Sequence, residues 1–392
     1  MTSLRRAMIQ RVRELDNRAG RRKDRRRLLV DSRTPVNYVM VAPVVKAMRN
    51  DPRVEFCFTA SEEPWRAREI YSEAPGVQIV HPVRAAAMKF DAYIASDFMW
   101  ARLLRETCRI QMFHGVAGKY GFDAPTVSMR DWDRLFFINR RRLRNYVKAG
   151  VIDADSPAIR LVGYPKADCL VDGSLQREPI LNSLGLDPSR RTILYAPTRS
   201  AESSLNKMGE EVVRGLLALG TNLIVKLHDR SRDLREPYSG GVDWVARLAP
   251  LLPEGRALIA PHSDISPYLV AADVMVTDHS SAGFEFLLLD RPIVRIHCPE
   301  LLATANVHPD YAELLASVSE SVDTSADAVA AVSRALERPA ERSEERRRVA
   351  EDLFHLPGSA TARATAALYE LLELDADPAA VPVQEGTCQP SA

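Results

Sequence analysis

Residues 277–292 read TDHSSAGFEFLLLDRP and follow a short apolar run, VMV, at 274–276. A buried strand here hands over to a buried helix within four residues, and the junction is filled with small polar and ionisable side chains. Such a strand-to-helix junction is the repeating unit of a parallel α/β sheet. Ser280 or Ser281 fits an N-cap, with Glu285 one turn into the helix. The same geometry also suits an anion, because a helix start offers unpaired N–H groups and the positive end of a dipole.

The same rhythm extends in both directions. Strands are expected at LLVDS (28–32), VEFCFT (54–59), VQIVH (77–81), DAYIAS (91–96), IQMFHG (110–115), LFFIN (135–139) and IRLVG (159–163). In the second half they are expected at TILYAP (192–197), NLIVKLH (222–228), ALIA (257–260), VMVTD (274–278) and IVRIH (293–297). Helix-period segments lie between them, among them 38–50, 140–150, 210–220 and 281–289. Pro165, Pro179, Gly185 and Pro188 interrupt the pattern in 164–190. The fold class read from this is α/β, with two Rossmann-like domains of parallel strands facing a cleft. The expected segments are a basic arm (1–27), a first domain (28–170), a second domain (171–358), a helix crossing back (359–374) and a disordered tail (375–392).

The chain of 392 residues is 46% hydrophobic and 27% charged, enough for two cores of ordinary size. Its formal charge of +1 is unevenly spread: residues 5–27 carry eleven Arg or Lys against Glu14, Asp16 and Asp24. That arm suits an anionic membrane surface better than nucleic acid, since it lacks interleaved aromatic side chains. The five cysteines are scattered, without metal-ligand or disulfide-framework spacing. No apolar run is long enough to span a bilayer and the start lacks a signal-peptide core, so a cytoplasmic protein, peripheral on the membrane, is expected.

Open α/β sheets place ligands at the carboxyl ends of strands, and four stretches there carry chemistry. FHGVAGKYG (113–121) puts His114 after a strand as a candidate base, with Lys119 as an anion contact. YAPTRS (195–200) ends in Arg199, whose guanidinium suits a phosphate. VKLHDRS (225–231) sets Lys226 and His228 on one face of a strand. The stretch at 277–292 adds Asp278, Ser280, Ser281 and Glu285 as donor-site candidates. Each residue has an ordinary structural alternative, as a loop histidine, a surface arginine or a capping carboxylate.

These blocks, together with GYPKAD (163–168) and AADVMVTDHSSAGFEFLLLDRPIV (271–294), resemble in order the CDP-glycerol glycerophosphotransferase family, whose members prime or polymerise teichoic acids. The resemblance covers roughly 90–340. It implies a GT-B architecture, an activated CDP-alditol donor in the second domain and a lipid-linked or polymer acceptor approaching from the first. It also implies a catalytic pair in His114 and His228, and a donor diphosphate beside Ser280 and Ser281. Mg²⁺ would enter, if at all, with the donor phosphates. The sequence departs from the family at His279 (usually Tyr), at Glu285 (usually Asp) and at Arg199, which stands one place early. The alternative is a GT-B glycosyltransferase or 2-epimerase acting on a UDP-sugar.

Overall fold

The computed structural model describes residues 25–74, 76–119 and 127–375. Thirteen strands form two sheets. The first holds β1 (Arg26–Asp31), β2 (Val54–Thr59), β3 (Gln78–Ile79), β4 (Ala92–Ala95), β5 (Cys108–Met112), β6 (Arg134–Phe137) and β7 (Ile159–Leu161), in the order β3-β2-β1-β4-β5-β6-β7. The second holds β8 (Thr192–Tyr195), β9 (Asn222–Val225), β10 (Ala257–Ile259), β11 (Val274–Thr277), β12 (Ile293–Ile296) and β13 (Glu320–Val322), in the order β10-β9-β8-β11-β12-β13. Every pairing is parallel. Both are Rossmann-type sheets, as expected, and each reverses its strand order once: between β1 and β4, and between β8 and β11. Ligands bind at such switch points, just outside the strand ends.

The strands read as continuous apolar runs because helices cover both faces. Val30, Ile94, Ile193, Val225 and Val276 are all fully buried. Helix α1 (Pro35–Met48) starts from a Thr34/Asn37 capping box with Pro35 in the first turn. Further helices are α2 (Arg140–Lys148), α3 (Ser204–Ala218), α4 (Ala282–Phe286), α5 (Ser343–Leu353) and α6 (Ala360–Leu372). All twelve expected strands are present. β13 was not expected, and α3 begins six residues before the expected 210, with a kink at Met208.

The basic arm was set at 1–27, but Arg26 and Arg27 already belong to β1. Arg27 N–H donates to Asp91 and the Arg27 guanidinium pairs with Glu55. Residues 1–24 of the arm and 376–392 of the tail lie outside the described residues. The final helix α6 packs on α1, with Ala364, Leu368, Tyr369 and Leu372 buried in the first sheet's core. Cys57, Cys108, Cys169 and Cys298 are free, and burial pushes their thiols up to about 11 or 12. Among the described residues no helix is long and apolar enough to cross a membrane.

Candidate active site

The second switch point is built around Asp278 at the end of β11. The carboxylate is fully buried and accepts N–H bonds from Thr198 (2.8 Å) and His279 (2.6 Å) on Oδ1. Its Oδ2 accepts from the Ser204 amide (3.1 Å) and the Ser204 hydroxyl (3.0 Å). Asp278 therefore clamps the loop after β8 and the start of α3 to the end of β11. It was expected to contact a donor, but its oxygens are taken by this scaffold.

Glu285 needs a similar correction. Its carboxylate neither caps α4 nor lies free for a ribose. It is buried against the Lys166 ammonium and within 3.4 Å of the Tyr164 hydroxyl, both from GYPKAD. A buried pair of this kind joins the connecting segment to the floor of the second sheet. Ser280 and Ser281 are half-buried, and Ser281 makes no capping bond with its side chain. The Ser280 hydroxyl takes only a 3.4 Å contact from the Ala282 amide. These two small hydroxyls stay available at the start of α4.

The two candidate histidines differ in tautomer. His114 is exposed at the end of β5, and its Nδ1 lies 2.6 Å from the Ser96 carbonyl. A carbonyl only accepts, so Nδ1 carries the proton and the Nε2 lone pair is left to act as a base. His228 is half-buried, and its Nδ1 accepts the Arg230 N–H at 3.1 Å. Its neutral ring therefore carries the proton on Nε2 and donates. Burial, followed by the charges of Arg199, Lys226, Lys119 and Arg230, holds His228 well below the ordinary histidine range. It stays uncharged at neutral pH within a ring of cations.

Those four cations come from three loops, after β5, β8 and β9. Lys226 is buried with its ammonium on the Leu227 carbonyl at 2.8 Å, and burial lowers its pKa. Lys119 comes across from the first half, and its carbonyl accepts the N–H of His308 in the second half at 2.9 Å. Burial pushes its ammonium down to about 8, with the nearby Asp278 opposing and Arg199 reinforcing. The Thr198 hydroxyl, buried at the same switch point, has no hydrogen-bond partner among the described residues. The arrangement suits a diphosphate on the second half and a hydroxyl nucleophile beside His114. His279 is fully buried beneath this site, with Nε2 accepting the Cys298 N–H at 3.4 Å, so it lines no cleft.

Residues 44–365 match the family model for CDP-glycerol:poly(glycerophosphate) glycerophosphotransferase. The chain belongs to this family. It is 29% identical over 137 residues to a teichoic acid glycerol-phosphate primase of Bacillus spizizenii, a match that takes in 34% of this chain and 32% of the relative. A teichoic acid poly(glycerol phosphate) polymerase of the same organism matches at 27% over 143 residues, 34% of this chain and 33% of the relative. The chain thus spans about a third of the length of these curated relatives. The crystal structure of the wall teichoic acid polymerase TagF superposes with a TM-score of 0.68 over 90% of both chains at 16% identity, which shows the GT-B fold.

The structure gathers His228, Lys226, Lys119 and Arg199, all named from the sequence, at the second switch point, and adds Lys166, Tyr164 and Thr198, which the sequence did not single out. The signal for the first two lay in GYPKAD, where a lysine and a tyrosine flank a proline in the segment joining two sheets. Nothing local marks Thr198, whose backbone N–H goes to Asp278 while its buried hydroxyl finds no partner among the described residues.

Proposed function

We propose that this glycerophosphotransferase-family protein transfers an alditol phosphate, glycerol phosphate or a close analogue, from a CDP-activated donor to a hydroxyl of a lipid-linked or polymeric acceptor. The observation that carries the reading is the pair of histidines in opposite tautomers on the two sides of the cleft. The acceptor hydroxyl gives its proton to His114 Nε2 as its oxygen forms a bond to the phosphorus that bears the alditol. The bond from that phosphorus to the bridging oxygen breaks, and CMP leaves. A positioned base of this kind contributes about 10²–10⁴-fold.

Negative charge grows on the departing phosphate. The His228 Nε2–H, Lys119, Arg199 and the groups at Ser280–Ser281 stand ready to meet it, and one preorganised donor is worth about 3–4 kcal/mol of barrier. Lys226, bound to a backbone carbonyl, adds its charge from below. Mg²⁺ arriving with the donor would rest on the donor's phosphates, because the oxygens of Asp278 and Glu285 are engaged. We further propose a peripheral position on the cytoplasmic face of an anionic membrane. Exposed Phe98, Trp100 and Leu104, interleaved with Arg102 and Arg105 near the His114 side, support it.

The test is nucleotide release from CDP-glycerol, CDP-ribitol and UDP-N-acetylglucosamine with lipid-linked acceptors present. CMP release from a CDP-alditol is the expected result. Release of UDP without any CMP would move the protein to a UDP-sugar reaction. That alternative shares the fold: a UDP-GlcNAc 2-epimerase from Neisseria meningitidis superposes with a TM-score of 0.54 at 11% identity over 88% of this chain and 100% of that one.

A further inference from the structure

We propose that Tyr238 is a positioning residue that gathers Arg199 and Arg230 toward the donor's diphosphate, an inference that rests on the functional reading above. Tyr238 is half-buried on the one-turn helix Glu236–Ser239, beyond the β9 loop. Three guanidiniums surround its ring, with carbons 4.9 Å (Arg230), 5.0 Å (Arg235) and 5.5 Å (Arg199) from the centroid. The Tyr238 hydroxyl also accepts a 2.6 Å hydrogen bond from Arg230 Nη1.

Like charges crowded on one ring repel, and the negative face of an aromatic ring offsets only part of that cost. Arg235 is further neutralised by Asp233, which it grips through Nε and Nη2. Arg199 and Arg230 have no carboxylate partner among the described residues. They leave two adjacent strands, β8 and β9, and both charges bear on His228. Without the ring, side chains from two separate loops would splay apart into solvent. With it, two unneutralised cations are held side by side next to the His228 donor, and a diphosphate is the ligand class that satisfies both. The ring also accounts for the early position of Arg199: its contact with Tyr238 brings it to the site even though the arginine stands one place from the family's usual position.

The test uses the full chain and the variants Tyr238→Leu, which removes ring and hydroxyl, and Tyr238→Phe, which removes the hydroxyl alone. Binding of inorganic pyrophosphate and of CDP is measured by calorimetry, and KM and kcat are measured for CDP-glycerol. Tyr238→Leu should raise Kd and KM by about three- to thirtyfold, in keeping with one or two lost cation–π contacts, with kcat less affected. Tyr238→Phe should give a smaller rise in the same quantities. In an Arg199→Ala/Arg230→Ala background, Tyr238→Phe should add nothing further, since it acts through those side chains. Unchanged pyrophosphate affinity in both single variants, or full additivity in the triple variant, overturns the proposal. If pyrophosphate binding weakens as expected but the parent chain releases no CMP from CDP-glycerol, the transferase reading fails while the role of Tyr238 stands.

Discussion

At the scale of single residues, the fate of a histidine depends on what its second nitrogen meets. His114 and His228 stand at strand ends, where the sequence placed them. The tautomer of His114 comes from the Ser96 carbonyl, which the fold brings close, and that of His228 from the amide of Arg230 two residues on. His279, in the middle of the most diagnostic motif, is packed into the core, where its Nδ1 finds no partner among the described residues. Burial pushes its pKa down to about 4 from the ordinary 6.5, with Asp278 opposing. The folded state therefore resists protonation there while the unfolded state accepts it. Stability is full above pH 6.5 and falls as pH drops toward 4, by up to about 3 kcal/mol. Denaturant unfolding from pH 7 to pH 4 should show this loss. His279→Gln, whose side-chain oxygen can still accept the Cys298 N–H, should flatten that part of the profile.

At the scale of elements, the buried Lys166–Glu285 pair fastens the connecting segment to α4. Removing one partner leaves a buried charge unpaired, so Lys166→Met should cost about 3–5 kcal/mol. Lys166→Met combined with Glu285→Leu should recover most of it, as measured by denaturant midpoints in a double-mutant cycle. Gly163, at the start of GYPKAD, has φ +90°, and a Cβ there would lie 2.6 Å from the His355 carbonyl. Only glycine fits where this segment meets the turn before α6. The end of the opening stretch is structural too: Asp290, at φ 49°, is held by Ser343 (2.6 Å) and the buried Arg346 (3.0 Å).

The elements themselves were largely legible in the sequence. Strands buried on both faces are mostly apolar, so VEFCFT and TILY declare themselves without any partner in view. β13 escaped because Glu320-Ser321-Val322 is an edge strand with one buried residue and no apolar run. The early start of α3 escaped because Ser203, Ser204 and Asn206 read as a loop. Ser204 turns inward to Asp278, a contact that crosses the fold, while Asn206 folds back on the nearby Ser200 carbonyl. The pairings of Asp278 and Glu285 were illegible for the same reason: their partners lie 74 and 119 positions away.

At the scale of the whole molecule, α6 closes the chain back onto its beginning. Asp168, at the connecting segment, accepts the Ala360 and Thr361 amides at 3.0 and 2.6 Å and so caps α6. The Tyr369 hydroxyl donates to Asp51, and Arg26 Nε donates to the Leu372 carbonyl. Burying Leu368, Tyr369 and Leu372 is worth about 1.5–3 kcal/mol each. A chain ending at residue 358 should therefore lose at least about 5 kcal/mol of stability, seen as a lower denaturant midpoint for the first-sheet half. Intact, the fold faces two switch points across one cleft, with Lys119 reaching over from the first half. The central claim is that His114 accepts the acceptor's proton on one side while the second half holds the diphosphate. Its most direct test is the single-turnover rate of CMP release from saturating CDP-glycerol, with a glycerol-phosphate-terminated lipid acceptor, for the parent chain and His114→Ala. A fall of about 10²–10⁴-fold with donor affinity retained is the predicted result; an unchanged rate would contradict it.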